Sequence, residues 1–414
     1  MSTSARPRWI LAASTFACAA VALTSCGSSA HKAASPGSGA TLVGKVQPVT
    51  LGSLTPQDIG TAQTAFGLDL LAERCTAQPN ANDVLSPASA ALALSMLDAG
   101  AHGSTAAAMA KLLHLPQWSP DVVAALHDQT KALTALNQLA VSNRLYSQLG
   151  IRPSAQVLND LATAFEAGLQ TLDFAGHPGQ ATDVINGHVK TDTHGLIPKL
   201  FDSPLDSSTT TVLVNAIYLN AKWAEPFNPA VNGQFHTQRG TTVTVPLMSG
   251  QEGFGEKRIS GGWESVTMPY AGERLEAVVL LPASGSAEPC VLPSAKQVQA
   301  LTSGSSIETD VEMPKLDLSQ TSQLAGDLSK LGLPLGGDYS GFGTPGSISQ
   351  IVQKTVVQVD EHGTKAAAAT GIGLATSALA SNVTVDRPYL LLIRDTTTGT
   401  PLFFARISDP TASS

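Results

Sequence analysis

The sequence lacks the short signatures by which a catalytic chain is usually recognised. It has no Gly-x-Ser-x-Gly elbow, no His-Glu-x-x-His, no Cys-x-x-Cys and no phosphate-binding loop. Those absences remove the serine-hydrolase, zinc-hydrolase, dithiol-redox and nucleotide-dependent classes, and the chain is not expected to be an enzyme. Its nine histidines are scattered. His188 and His194 lie close together but have no ligand partners at metal spacing, so no metal and no cofactor are expected. No basic stripe is present and the formal charge is −8, which argues against a nucleic-acid partner. Between about Pro56 and Pro410 there is neither an internal repeat nor a long linker, so residues 56–410 read as one domain.

Cysteine is scarce as well, with four in 414 residues. Cys18 falls in an apolar N-terminal stretch, and Cys26 follows it. Cys75 and Cys290 remain; outside a cell they can pair, or stay as two buried thiols.

The N-terminus has a definite pattern. Arg6 and Arg8 make a positive end, and Trp9 to Leu23 is an alanine-rich apolar run too short to span a bilayer comfortably. Leu23-Thr24-Ser25-Cys26-Gly27 then resembles a bacterial lipobox. Residues 1–25 are read as a lipoprotein signal peptide with Cys26 as the lipidated residue; an ordinary signal peptide or a short membrane helix is the alternative. Cleavage there changes the formal charge from −8 to −10, because two arginines leave. Residues 26–55 are rich in Ser, Gly, Ala and Pro, a composition that builds no core and predicts a flexible tether. Export is therefore expected, with the protein anchored through Cys26 to the outer face of the cell membrane, or secreted if the lipobox is not used.

In the domain itself, helical patterns come first. Ser86-Pro87 reads as an N-cap followed by a first-turn proline, ahead of an almost wholly apolar run from Ala90 to Ala101 that should lie centrally. Ser86 thus suits capping better than nucleophilic attack. Further helices are predicted over 62–71, 121–136, 153–167 and 179–192. Thr211–Leu219 is apolar on both faces, the mark of an internal strand. Strand patterns dominate beyond it, so the fold class is α+β.

One late stretch stands apart. Ile351 to Val359 is β-branched, and 361–370 reads Glu-His-Gly-Thr-Lys-Ala-Ala-Ala-Ala-Thr. On propensity the alanines suit a short helix or an exposed loop. Taken by alternate residues, Thr364, Ala366, Ala368 and Thr370 form a small face opposite the charged Lys365, as a strand with one buried side would.

Glu361-x-Gly363-Thr364-x-Ala366-Ala367-Ala368-Ala369-Thr370 resembles the hinge of a serpin reactive-centre loop. Other segments are similar to the same family in order: Asn82-x-x-Leu85-Ser86-Pro87-x-Ser89, Ile185-Asn186-x-x-Val189, Leu213-Val214-Asn215-Ala216-Ile217-Tyr218 with Lys222-Trp223, and Asp386-Arg387-Pro388-Tyr389. The resemblance implies a serpin fold of about nine helices and three β-sheets with an exposed loop over 361–380. It implies a monomer that traps a target serine protease as a covalent acyl-enzyme and then inserts the loop into its main sheet. Ser86, Ser89, Asn215 and Gln353 are expected to form the polar cluster where that sheet opens. Thr364 is expected at the mouth of the sheet, mostly outside it, before cleavage. Counting fourteen residues on from Gly363, or eleven back from Pro388, places the reactive bond at Ser377–Ala378; Leu374 and Leu379 are the alternatives. Thr376 to Leu379 is small and uncharged, bait for an elastase-like or subtilisin-like protease. A non-inhibitory serpin acting as a cell-surface binding protein is the second reading, and the small hinge argues against it. The chain departs from the family at Lys365, usually acidic, at Gln353, often histidine, and at Tyr389, usually phenylalanine.

Overall fold

Side-chain oxygens start the main helices. Thr55 and Asp58 form a reciprocal capping box ahead of α1 (Pro56–Ala77). Ser86 accepts from the Ser89 N–H and opens α2 (Pro87–Asp98), with Pro87 in the first turn. All twelve residues of α2 are buried, as its apolar run requires. Then follow α3 (Gly103–Leu112), α4 (Pro120–Thr134), α5 (Ala155–Phe165), α6 (Pro178–Asp192), α7 (Ala295–Leu301) and α8 (Ala325–Lys330). This is a computed structural model, and it describes residues 38–50, 52–282, 288–343, 347–364 and 381–412. Among these residues there are eight α-helices and one 3-10 turn, Ser340–Phe342.

The strands in chain order are β1 (Ser38–Leu42), β2 (Asp83–Leu85), β3 (Leu139–Gln148), β4 (Leu169–Leu172), β5 (Thr211–Leu219), β6 (Ala221–Lys222), β7 (Val231–His236), β8 (Thr242–Ser249) and β9 (Gly255–Ser260). They continue with β10 (Trp263–Pro269), β11 (Leu275–Pro282), β12 (Ile307–Pro314), β13 (Leu316–Gln323), β14 (Gln350–Asp360), β15 (Gly363–Thr364), β16 (Asn382–Thr384), β17 (Tyr389–Asp395) and β18 (Pro401–Ile407). One sheet of eight runs β1-β4-β3-β5-β14-β15-β6, with β13 on the other side of β14. A second network of ten holds β2-β18-β17-β11-β10-β9 and reaches β8 and β7 through β12, where β16 also pairs. The α+β class follows, with the third sheet sharing β12.

Helix α2 threads between the sheets, where apolar side chains from β5, β11, β17 and β18 fill the core. The other face of the first sheet is covered by α6, whose Ile185 and Val189 pack with Val212, Val214 and Val352. Cys75, at the end of α1, is bonded to Cys290 ahead of α7, so of the two states open to these cysteines the pair is the one adopted.

Residues 38–42, expected to be flexible, form β1 and pair antiparallel with β4 at the sheet edge. The next residues run along α5: Lys45 N–H donates to Asn159 Oδ1 and Gln47 N–H to Thr163 Oγ1. Gly44 allows the approach, since a Cβ there would fall 2.1 Å from the Leu158 carbonyl carbon. Composition alone could not reveal this, because an edge strand takes its order from the neighbour's unpaired backbone groups.

Candidate functional site: the seam and hinge of the first sheet

Two features meet in the first sheet. Below, β5 and β14 pair in parallel, Gln350–Val356 against Val212–Tyr218. Above, the chain leaves β14 at Asp360, turns through Glu361 and His362, and returns as β15. That two-residue strand lies between β14 and β6 and is antiparallel to both: Gly363 faces Asp360 and Lys222, and Thr364 faces Val359 and Ala221. The sheet is therefore zipped at the bottom and wedged apart at the top.

A polar row crosses the zipped part. Asn215 on β5 is in register with Asn143 on β3 and with Gln353 on β14. Asn215 Nδ2 donates to Ser89 Oγ and Asn143 Oδ1, while its Oδ1 accepts from Gln353 Nε2. Gln353 also accepts from the Ser86 N–H at 2.9 Å and donates to the Ser86 carbonyl at 3.0 Å. Ser89 Oγ donates to Asn143 Oδ1 at 2.9 Å. The start of α2 is thus stitched to three adjacent strands. Ser86, Ser89, Asn215 and Gln353 are all nearly inaccessible. Gln353 can fill a histidine's place because an amide both donates and accepts. Sequence reasoning missed Asn143; its signal was an amide set among Leu139, Val141 and Leu145 on one side of a strand pattern.

The hinge is held by a second set of contacts. Trp223 Nε1 donates to the Asp360 carbonyl at 2.9 Å, and its ring stacks on Tyr270 with centroids 4.4 Å apart. The Glu361 carboxylate meets Lys315 Nζ at 2.7 Å and accepts from the Ala230 N–H. Burial pushes that carboxyl up, but the Lys315 and backbone N–H bonds outweigh it and hold it below its ordinary value. Gly363 has φ +148° and passes so close to β6 that a Cβ would lie 2.1 Å from the Ala221 oxygen.

Thr364 corrects the sequence-based expectation. It is 1% exposed, not outside the sheet, and its hydroxyl meets the Tyr270 hydroxyl at 2.6 Å. The reason is β15 itself: two strand edges on either side of the wedge offer backbone partners, so the first residues of the hinge are already paired. Ala366, Ala367, Ala368, Ala369, Thr370, the Ser377–Ala378 bond and Cys26 lie outside the described residues.

Residues 61–410 match the model of the family described as serpin, serine protease inhibitor. The chain belongs to the serpin family. The human leukocyte elastase inhibitor is 31% identical over 389 residues, covering 86% of this chain and 100% of that protein. Iris from the tick Ixodes ricinus is 31% identical over 362 residues, covering 79% of this serpin and 92% of the relative. In fold, this serpin is similar to native tengpin, a thermophilic serpin, with a TM-score of 0.77 at 23% identity over 88% of this chain and 97% of that one. Native protease nexin-1 with heparin gives a TM-score of 0.73 at 25% identity, covering 86% and 100%.

Proposed function

We propose that this serpin inhibits elastase-like or subtilisin-like serine proteases by cleavage at Ser377–Ala378 followed by insertion of the loop between β5 and β14. The observation that carries the reading is β15, a strand already antiparallel to both neighbours above a parallel seam. Its register can be continued. Six residues on from Thr364 is Thr370; six back from Val359 is Gln353, and six back from Ala221 is Asn215. Both counts meet at the polar row. Insertion thus sets Thr370 between Asn215 and Gln353, replacing their direct bond with a hydroxyl able to serve both. Thr364, Ala366, Ala368 and Thr370 would share the inward face, and their small size lets the sheet close over them.

In the chemical step, the protease's serine oxygen attacks the Ser377 carbonyl carbon. The bond to the Ala378 nitrogen breaks, that amine leaves with a proton, and Ser377 remains as an ester on the protease. The freed hinge then moves down the seam. Fourteen residues at about 3.3 Å each carry the attached protease ~45 Å. Each backbone bond gained contributes about 1 kcal/mol net, so a full strand releases on the order of 10 kcal/mol from the metastable native form. A small uncharged bait leaves the buried acid of a trypsin-type pocket unpaired. The elastase inhibitor relatives favour the same protease class.

The test is to mix the protein with elastase-like, subtilisin-like and trypsin-like proteases and run denaturing gels. A covalent band at the summed mass with the first two is expected, together with mass-spectrometric cleavage after residue 377. Ser377→Arg should move inhibition to the trypsin-like enzyme. Complete hydrolysis without a covalent band would overturn the inhibitory reading, and cleavage elsewhere would overturn the register. Lipid attachment at Cys26 belongs to the same proposal: Cys26→Ala should release the protein from membrane fractions or block its processing.

A further inference from the structure

Strand β1 fixes where the N-terminal segment joins the fold. Ser38 faces Leu172 on β4, Leu172 faces Gln148 on β3, and the preceding Ser147 faces Thr211 at the start of β5. The hinge stands at the other end of these strands, where Leu139 faces Leu219 and β5 leads into β6. The chain therefore enters the first sheet at the pole opposite the hinge. It enters on the edge strand, with β4, β3 and β5 between it and the seam. The bonds of Lys45 and Gln47 to α5 hold the next residues down, so the entry point is fixed. The other end of the chain lies at the hinge pole. Pro410, Thr411 and Ala412 line one cavity together with Lys315, Val359 and Asp360.

The strand registers measure what insertion does relative to that entry point. Gln350 faces Val212, so Ile348 is level with Thr210 and hence with Gln148 and Ser38. Continuing β15 down the seam, from Thr364 opposite Val359, brings Ala375 to the level of Ile348 and Ser377 two residues beyond it. Those eleven residues from Thr364 to Ala375 span ~36 Å along the strand. Across the sheet, four strand spacings of about 4.8 Å separate the inserted strand from β1 by ~19 Å. A protease joined to Ser377 thus finishes beside the N-terminal entry point, at the pole farthest from the hinge and from the C-terminus. Ser38 is the twelfth residue after Cys26, so an anchor at Cys26 leaves at most ~40 Å of chain between the lipid and that pole.

We propose that this serpin, held at a lipid surface by its N-terminal segment, turns its hinge pole away from that surface and, on inhibition, carries the captured protease down to it. The inference rests on the insertion mechanism proposed above. Its target is then a soluble protease arriving from the medium, and the trapped complex lies against the lipid. The test uses residues 26–414 with Cys26→Ser and a hexahistidine tag at either the N- or the C-terminus, so that the outcome does not depend on lipid at Cys26. Each chain is held on phosphatidylcholine vesicles that contain a nickel-chelating lipid and a rhodamine-labelled lipid. Pancreatic elastase carrying a fluorescein donor is added, and energy transfer to the bilayer is read on complexes that denaturing gels show to be covalent. The N-terminally held chain should give at least about twofold more transfer than the C-terminally held one, as poles ~36 Å apart imply. Equal transfer, or more from the C-terminally held chain, would overturn the inference and leave inhibition intact. Hydrolysis of the chain without a covalent complex would remove the insertion mechanism, and this inference with it.

Discussion

The seam between β5 and β14 differs from the centre of the second sheet in ways that match their tasks. In the second sheet β11, β17 and β18 pair antiparallel, and every residue of β18 is buried, with Leu402, Phe403 and Phe404 in the core. Within it, Ser265 Oγ donates to the Leu301 carbonyl. The seam is parallel, a pairing slightly less stable per residue, and it is crossed by a connected row of amides. Breaking an apolar contact exposes surface and returns nothing. Breaking an amide pair can be repaired by any incoming hydroxyl. A sheet meant to part is therefore locked with hydrogen bonds, and one meant to stay is filled with leucine and phenylalanine.

The harshest challenge to this contrast is Thr364→Arg. It places an uncompensated charge in the buried site beside Tyr270, with a cost of about 5 kcal/mol. Denaturant unfolding should show collapse of the native midpoint; an unchanged midpoint would mean that β15 is not part of the native lock. Asn215→Ala removes the hub of the polar row and should lower native stability by about 3 kcal/mol. It should also raise the number of inhibitor molecules consumed per protease inactivated. If stability falls with that ratio unchanged, the row is ordinary core.

The disulfide sharpens the comparison from the other side. Cys75→Ser should cost about 3 kcal/mol because the bridge closes a long loop, yet the consumed-inhibitor ratio should stay put, since the bond lies off the seam. A change in that ratio would show that the two sheets are mechanically coupled.

Asp98, at the end of α2 away from the polar row, adds a pH term. Burial pushes its carboxyl up to about 7 from an ordinary 3.8, and its Oδ1 has no partner. The folded form holds the proton more tightly than the unfolded one. Stability from this group is thus complete below about pH 4 and is lost as pH rises through 7. Asp98→Asn should be more stable than wild type by about 2 kcal/mol at pH 8, with the gap narrowing as pH falls and closing by about pH 4, read from urea midpoints. A gap that does not vary with pH would refute the buried-carboxylate account. Smallest is Lys315→Ala, which frees the partly exposed Glu361 and should cost no more than ~1 kcal/mol, with a modest rise in the consumed-inhibitor ratio. A loss as large as that of Asn215→Ala would move the lock from the row to the hinge.

Much of this was legible in the chain. Ser86-Pro87 ahead of an apolar run fixed the start and the central burial of α2, because caps and first-turn prolines act locally. The apolar stretch 211–219 announced an internal strand for the same reason. Three of the five members of the polar row, Ser86, Ser89 and Asn215, stood in motifs of the family, and Gln353 stood out as a departure from it. Asn143 stood in none; its only trace was an amide on the alternate side of β3 that also carries Leu139, Val141 and Leu145.

What the sequence determined by itself were properties of short segments: caps, periodicity, the small alternate face from Thr364 to Thr370, and the ordered motifs that mark a serpin. Tertiary structure alone decided which strand edges were free. That choice put residues 38–42 on β4 instead of in a tether, and drew Gly363 and Thr364 between β14 and β6 before any cleavage. It also joined Cys75 to Cys290 across 215 residues. Such outcomes depend on which unpaired backbone edges and side chains the fold leaves facing one another, and no local run of residues encodes that.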